Sequence, residues 1–417
     1  MNFEVKDIKL AEQGEMNIEF AEMQMPALRK IREHFAKEKP LKGIRVGMAL
    51  HITKETANLV YTLMAGGAEV SITGCNPLST QDDVAAALAK KGVSVFGYKG
   101  ESRDDYYKYL NKVLDFKPNA TIDDGCDLIS EIHSKRQELL KTLIVGTEET
   151  TTGVIRLRAM EKDNALKYPV IAVNDNLTKH LFDNFYGTGQ STLDGILRCT
   201  NVLFAGKTFV VAGYGSCGKG VSRRAMGMGA SVIVCEVDPV RALQAHADGF
   251  RVMKMSEAAP LGDIFVTVTG DRDVITMEHI EKMKNGAILA NSGHFDIEID
   301  VAALNNHAKQ KRRIRWQLDE YVLKNGKKVF LCGEGRLVNL SAAEGHPSEV
   351  MDLSFCGQAL ALEFGIKNKG KLKAGVHVLP RQIDDKIAEL KLDSMGIKKD
   401  VLTEEQKKYL SSWKEGT

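Results

Sequence analysis

Residues 208–238 constrain this chain more than any other stretch. A short apolar run, Phe209–Ala212, reads as a buried strand. Gly213, Gly215 and Gly218 follow in GxGxxG spacing, and a helical pattern begins at once. Few folds accept such a unit. Gly213 permits a tight turn, Gly215 lets the backbone approach a pyrophosphate at a helix N-terminus, and Gly218 lets the helix pack close to the strand. Ser216 and Cys217 lie between the glycines. Val232–Cys235 reads as the next strand, and Glu236 ends it about 20 residues downstream, where an acid binds a ribose diol. Strand, glycines, helix, strand and acid in this order specify a Rossmann dinucleotide site. The carboxylate accepts from a 2′-hydroxyl and repels a 2′-phosphate, so the expected cofactor is NAD. Arg241, five residues later, is either a solvated helix arginine or a contact to that cofactor.

A chain of 417 residues has room for two or three domains with ample core. Its net charge of +2 argues for neither nucleic acid nor an anionic membrane as partner. The seven cysteines, at 75, 126, 199, 217, 235, 332 and 356, are odd in number and lack CxxC spacing. They read as reduced thiols, with no disulfide framework and no metal site expected. The opening residues, MNFEVKDIKLAEQGE, are polar and acidic, unlike a signal peptide. No apolar run reaches the roughly 18 residues of a membrane span. The expected compartment is the cytoplasm.

Upstream of the glycine fingerprint, short apolar runs alternate with helical patterns. Ile44–Leu50, Glu69–Thr73, Val93–Tyr98, Ala120–Asp123, Thr142–Val145 and Val170–Val173 read as strands. Lys54–Ala65 and Gln81–Lys90 read as helices between them. Downstream, Ile264–Val268, Ala287–Asn291 and Val329–Cys332 continue the strand series. Alternation of this kind predicts parallel sheets, so the fold class is α/β with two doubly wound domains. A helix over Asp183–Leu203 is expected between them, and a helix over Ser348–Phe364 returns the chain to the first. The expected layout is a substrate-binding domain over 1–182 completed by 346–392, a Rossmann NAD domain over 183–345, and a small helical tail over 393–417.

Open α/β sheets bind ligands at the carboxyl ends of their strands, and the polar motifs fall at such places. His51, Thr53 and Glu55 follow the first strand, and Cys75 to Asp82 the second. Asp123 and Asp124 follow the fourth, and Glu149 with Thr150, Thr151 and Thr152 the fifth. Each motif alone is equally a helix cap: Ser79 and Thr80 can cap a helix near Gln81, as can either aspartate its own turn. Four together point to one cleft. Lys179 and Asp183 are four residues apart and share a helix face, either as a surface ion pair or as a lysine poised to take a proton from a hydroxyl. Ser292, Gly293 and His294 follow a strand of the second domain, which places His294 near the nicotinamide end. Asn339 and His346 close that domain.

The segments LHITKET, CNPLSTQDD, DDGCDL, EETTTG, NDNLTKHLFDN, GYGSCGKG, NSGHFD and GEGRLVNLSAAEGHP stand here in the order of the signature blocks of S-adenosylhomocysteine hydrolases. The chain resembles that family from near residue 5 to near residue 410. The resemblance implies hydrolysis of S-adenosylhomocysteine to adenosine and homocysteine with catalytic, tightly bound NAD. The ribose 3′-OH is oxidised, the acidified C4′ proton is removed, the thiolate leaves C5′, water adds, and the stored hydride returns. By the same resemblance Lys179 and Asp183 act at the 3′-OH, with Asn184 and Glu149 holding the ribose hydroxyls and reaction centre. Asp124 and His51 match the acid/base groups for C4′ and C5′. Thr53 and Glu55 match base-recognition positions, and His346 lines the same pocket. Thr150, Thr151, Thr152 and Asn184 meet the cofactor across the cleft, with Gly213, Gly215, Ser216, Cys217, Gly218, Glu236, Arg241, Ser292, Gly293 and His294 on its other side. Asn339 matches a contact to the nicotinamide carboxamide, and His294 with Phe295 a gate for substrate. A homotetramer in the cytoplasm serving the methylation cycle is implied too.

The chain departs from the family pattern in places. Thr188 stands where many members carry a cysteine near the nicotinamide. Ser216 and Cys217 replace a common Asp-Val, and Arg241 a common asparagine. Ser341–Glu344 differs from the usual run before Gly-His-Pro. The end, WKEGT, lacks the basic tyrosine-bearing tail of many members, so cofactor retention is expected to be weaker or differently supported. For the base, an acceptor-only carboxylate at Glu55 suits the N6 amino donor of adenine, whereas hypoxanthine carries an oxygen there. S-adenosylhomocysteine is therefore the expected substrate, with S-inosylhomocysteine the alternative. A 2-hydroxyacid dehydrogenase shares the two-domain plan but needs no Lys179/Asp183 or Asp124 cluster. A non-catalytic NAD-binding regulator would have no use for the intact set.

Overall fold

The computed structural model describes residues 2–414, so the last three residues of the expected tail lie outside the described residues. Two sheets organise the chain. The first runs Gly375–His377, Pro169–Ala172, Val145–Glu148, Ala120–Asp123, Arg45–Ala49, Glu69–Thr73, Ser94–Phe96, every neighbouring pair parallel. The chain enters at Arg45–Ala49, winds outward to Ser94–Phe96, then crosses back to Ala120–Asp123. The reversal leaves a crevice between the carboxyl ends of Arg45–Ala49 and Ala120–Asp123, the place where such sheets bind ligands.

The second sheet repeats the plan from Thr208–Ala212, outward to Ser231–Cys235 and Arg251–Val252, then back to Ile264–Thr267, Ala287–Asn291 and Lys328–Cys332. Its crevice opens between Thr208–Ala212 and Ile264–Thr267. The parallel strands are almost wholly buried, as runs such as Phe-Val-Val-Ala and Ile-Phe-Val-Thr require when helices cover both faces.

Three expectations need correction. The second sheet is not purely parallel: Ala308–Arg315 and Leu318–Leu323 add an antiparallel edge. The outer strand is a nearly continuous basic run, exposed along seven of its eight positions, so it shows no alternation to read. Its register is set by ion pairs, Arg312 to Glu320 at 2.7 Å and Arg313 to Asp319, onto a buried partner strand. The fifth strand of the first sheet is Val145–Glu148, not Thr142–Val145. Gly146, Thr147 and Glu148 read as loop, yet they are buried, and the Thr147 hydroxyl is satisfied by Gln358 at 2.6 Å. Finally, the helix expected from Asp183 begins as a π-helical turn, Asp183–Gly187, before the α-helix Thr188–Thr200.

The helix Ser348–Lys367 returns to the first domain and packs on its strand Val145–Glu148. Asp352, fully buried on it, accepts from the backbone of Ala27 and Leu28 and so satisfies the exposed N–H groups at the start of the helix Pro26–Glu38. The tail helix Glu404–Leu410 is capped by Thr403 and Gln406 and buries no side chain.

Candidate active site

Both crevices open into one cavity of about 1060 Å³. It is lined by His51, Thr53, Glu55, Asp124, Glu149, Lys179, Asp183, Asn184, His294, Asn339 and His346, and by Gly213, Gly215, Ser216, Cys217, Glu236 and Arg241. Thr150, Thr151, Thr152, Ser292 and Gly293 line it too. Gly218 lies one layer behind, between helix and strand.

At the crevice of the first sheet, Nε2 of His51 lies 3.4 Å from Asp124 Oδ2, and its Nδ1 bonds the Ser79 hydroxyl at 2.7 Å. Burial pushes the imidazole down to about 4, with the Asp124 charge opposing, so it is neutral at physiological pH. Ser79 therefore serves His51 and not a helix cap. Asp123 is the cap: its Oδ2 accepts from Ile129 N–H at 2.8 Å in the first turn of the next helix. Its neighbour Asp124 is thereby left to face the cavity. The second sheet delivers His294 to the same point, Nδ1 3.6 Å from Asp124 Oδ1, beside His51. His51, Asp124 and His294 bring metal-capable atoms within 4.8 Å of one another.

The lysine cluster is more than a shared helix face. Lys179 Nζ donates to Asp183 Oδ1 at 2.7 Å and to Asn184 Oδ1 at 2.9 Å, with Glu149 Oε1 at 3.6 Å. Asp183 and Asn184 open the π turn Asp183–Gly187, a local irregularity of a kind common at functional sites. Burial disfavours the ammonium, but Asp183 and Glu149 outweigh it and Lys179 is raised above its ordinary value. Burial likewise works against the Asp183 carboxylate, and Lys179 and His346 carry it below the usual range. Burial raises Glu149 to about 7, against the pull of Lys179. Ser354 and Gln358 both donate to Glu149, and Asp384 accepts from Leu177 and Thr178 N–H to seat the short helix that carries Lys179. None of Ser354, Gln358 or Asp384 carries a motif that would single it out in sequence.

His346 bridges Asp183 Oδ2 at 2.9 Å and Thr188 Oγ1 at 3.3 Å. The thiol of Cys217 lies 3.6 Å from that same Thr188 hydroxyl. Thr53 caps the helix Lys54–Ala65, which sets Glu55 in its first turn, 2 % exposed, accepting from the Ser348 hydroxyl at 2.7 Å. Asn184 Nδ2 reaches Asn174 Oδ1 at 3.2 Å and Thr151 Oγ1 at 3.4 Å. Thr152 faces Gly270 across the cleft, its Oγ1 3.5 Å from where a Cβ there would stand.

The cofactor side fits a dinucleotide. Gly213 has φ +105°, and a Cβ on Gly218 would meet the Gly213 carbonyl oxygen at 2.0 Å. A Cβ on Gly215 would meet only Arg241 Nη1, at 3.7 Å, so that glycine opens space for a ligand and not for protein. Glu236 accepts from Tyr214 N–H at 2.6 Å, which ties the acid to the loop. Arg241 is exposed at the mouth. Asn339 is buried and donates to Ser191, while its Oδ1 has no partner among the described residues, as an oxygen awaiting a carboxamide N–H would be. Ser292 is tied to Thr192 at 2.5 Å, and Gly293 could carry no Cβ beside Glu298. Ser216 bonds His180 at 2.8 Å, joining the glycine loop to the helix of Lys179.

Comparison with known proteins gives the same picture. Residues 184–345 match the family model "S-adenosyl-L-homocysteine hydrolase, NAD binding domain", and residues 2–145 match "S-adenosyl-L-homocysteine hydrolase". The chain is 62 % identical to an S-inosyl-L-homocysteine hydrolase of Methanocaldococcus jannaschii over 415 residues, covering 100 % of both. It is 61 % identical to an adenosylhomocysteinase of Aquifex aeolicus over 418 residues, again covering 100 % of both. In fold it is similar to a dipicolinate synthase component from Bacillus halodurans, at a TM-score of 0.50 and 15 % identity over 78 % of this chain and 99 % of that one.

Proposed function

The chain belongs to the S-adenosyl-L-homocysteine hydrolase family, and from that premise we propose that this cleft reversibly hydrolyses the C5′ thioether of S-adenosyl-L-homocysteine, water replacing the thiolate at C5′ to give adenosine and L-homocysteine. When bound, NAD would supply the oxidation at C3′ that acidifies the C4′ proton before the thioether opens, and the reduction that reverses it after water has added. Asn339 would hold its carboxamide, Gly215 its pyrophosphate and Glu236 its ribose.

Lys179, Asp183 and Asn184 hold the ribose O3′. The ammonium form of Lys179 is favoured, so it takes the O3′ proton only after discharging its own. Glu149, 3.6 Å away and raised to about 7, is the group with which it exchanges. His51 is neutral and free to accept, and with Asp124 it moves protons at C4′ and at the C5′ leaving sulfur or entering water. His294 closes over them and excludes solvent. The observation that supports this most is convergence: two strand-switch crevices meet with the acid/base groups on one wall and the orphan oxygen of Asn339 on the other.

Glu55 directs one oxygen to Ser348 and offers the other to the N6 amino group of adenine. The M. jannaschii relative, an S-inosyl-L-homocysteine hydrolase, favours a second reading with hypoxanthine, whose N1–H can donate to the same carboxylate. Chromatography of nucleosides released by NAD-loaded protein from each thioether tests both. Adenosine without accumulating NADH supports the first, an excess of inosine the second, and no nucleoside from either removes the hydrolase reading.

The methylation cycle, the cytoplasm and a homotetramer complete the proposal. Val237, Val240 and Leu243, which are 98, 73 and 68 % exposed, form an apolar surface suited to contact with a second copy of the chain. No helix among the described residues is long and apolar enough to cross a membrane. Light scattering at a monomer mass would remove the tetramer.

A further inference from the structure

Glu55 is buried, and a carboxylate so placed needs a cation as well as a hydroxyl. Its own neighbour supplies one. Lys54 Nζ lies 3.6 Å from Glu55 Oε1, the oxygen that also accepts from Ser348. The lysine does not float there. It is 2.8 Å from Glu344 Oε2, whose other oxygen is 3.0 Å from Arg198 Nη1 on the second domain. Gln81 braces both ends, accepting from the Lys54 backbone N–H at 3.0 Å and donating to the Glu344 carbonyl at 3.4 Å. Glu344 immediately precedes the Gly345–His346 return and lines the cavity beside Glu55, whereas the Lys54 side chain is 14 % exposed and stands behind them. Burial works against its ammonium, and Glu55 and Glu344 more than restore it.

We propose that Lys54, anchored by Glu344, is the positioning residue that sets base specificity by holding Glu55 as an oriented, acceptor-only carboxylate. The inference rests on the reading of Glu55 as the base contact. Adenine and hypoxanthine differ by exchanging a donor and an acceptor along one edge: N6–H₂ and N1 against O6 and N1–H. An ionised carboxylate accepts and cannot donate, so it separates the two whichever edge atom it meets. A carboxylate free to turn between the two edge atoms meets either pattern and separates them poorly. Without Lys54, Glu55 keeps only the Ser348 hydroxyl and loses the cation that fixes its orientation.

The test is the ratio of kcat/KM for S-adenosyl- and S-inosylhomocysteine, measured on NAD-loaded protein. In Lys54→Met the ratio should collapse toward unity by about tenfold, the cost of one mispaired buried group. Lys54→Arg should keep the wild-type ratio, and Glu344→Gln, which frees the lysine without removing it, should lose about threefold. The Glu344 variant carries the test where Lys54→Met fails to fold. A wild-type ratio in Lys54→Met or Glu344→Gln, with Glu55→Gln altered, overturns the role of Lys54 alone. An unaltered ratio in Glu55→Gln overturns the base-contact reading, and the role of Lys54 with it.

Discussion

A Cβ built on Gly125 would stand 2.2 Å from Nε2 of His294, because the imidazole lies directly on the glycine. The two residues come from different sheets, so the contact exists only while the domains are together. Gly125 has φ +103°, and its N–H donates to the buried Glu148 at 2.8 Å, so the loop cannot easily move aside. The absence of a side chain at 125 is thus a condition for closing the cavity over Asp124.

Gly125→Ala should therefore cost catalysis out of proportion to stability. We expect kcat to fall by about 100-fold, as for a misplacement of about 1 Å at a reacting centre. The melting temperature should drop by only a few degrees from the positive φ. Steady-state kinetics beside thermal melts would show it, and near-normal turnover would mean that His294 need not seat there.

Lys179→Met should lower kcat by about 10²–10⁴-fold, the usual worth of a positioned proton-transfer group. The residue touches Asp183, Asn184 and Glu149 but no glycine of the cofactor loop, so bound NAD should stay stoichiometric. Cofactor content by absorbance after denaturation, set against turnover, separates the two. Loss of NAD with the activity would assign Lys179 to cofactor binding.

The fold was legible wherever a pattern repeated. Phe209–Ala212 before three spaced glycines, and apolar runs ended by His51 and Asp124, announce parallel strands and their crevice. What was not legible has physical reasons. Ala308–Arg315 hides because an edge strand held by ion pairs needs no apolar face. Val145–Glu148 hides because all but its first residue are glycine or polar, and their partners lie outside the strand, Gln358 for Thr147 and the Gly125 N–H for Glu148. The π turn at Asp183 has no composition of its own; Lys179 and Asp183 show the four-residue spacing, but no helical spacing points from Lys179 to Asn184. Ser354 and Gln358 were invisible since nothing near them in sequence needs them.

Two glycines of the fingerprint should fail in different ways. Gly218→Ala forces a methyl to within 2.0 Å of the Gly213 carbonyl and should destabilise the domain by about 1–3 kcal/mol. Gly215→Ala meets only the tip of Arg241 at 3.7 Å, so the apoprotein should melt as wild type. NAD affinity should nonetheless fall by tenfold or more, about 1.4 kcal/mol, because the methyl takes the ligand's space. Calorimetric titration with NAD and melting of the apo form would test this pair, and equal melting losses in both variants would count against it.

Glu101 should make the protein less stable as pH rises. The residue is buried, with Oε2 accepting from Tyr98 N–H at 3.4 Å and Oε1 without a partner among the described residues. Burial raises it from 4.5 to about 8, helped by Asp105 and Asp82 and opposed by the Tyr98 amide. Between those values the folded chain keeps a proton that the unfolded chain releases, so stability falls as pH climbs from 4.5 toward about 8. Asp123, raised to about 7, acts in the same direction. His51, lowered to about 4, acts the other way, removing stability as pH falls below 6.5. Because these groups overlap, the informative quantity is a difference. Glu101→Gln keeps the shape and the acceptor but does not titrate. Its melting temperature relative to wild type should rise with pH, reaching about 3 °C near pH 8. A difference that stays constant from pH 5 to 8.5, or shrinks, would show that Glu101 is ionised in the folded protein over this range.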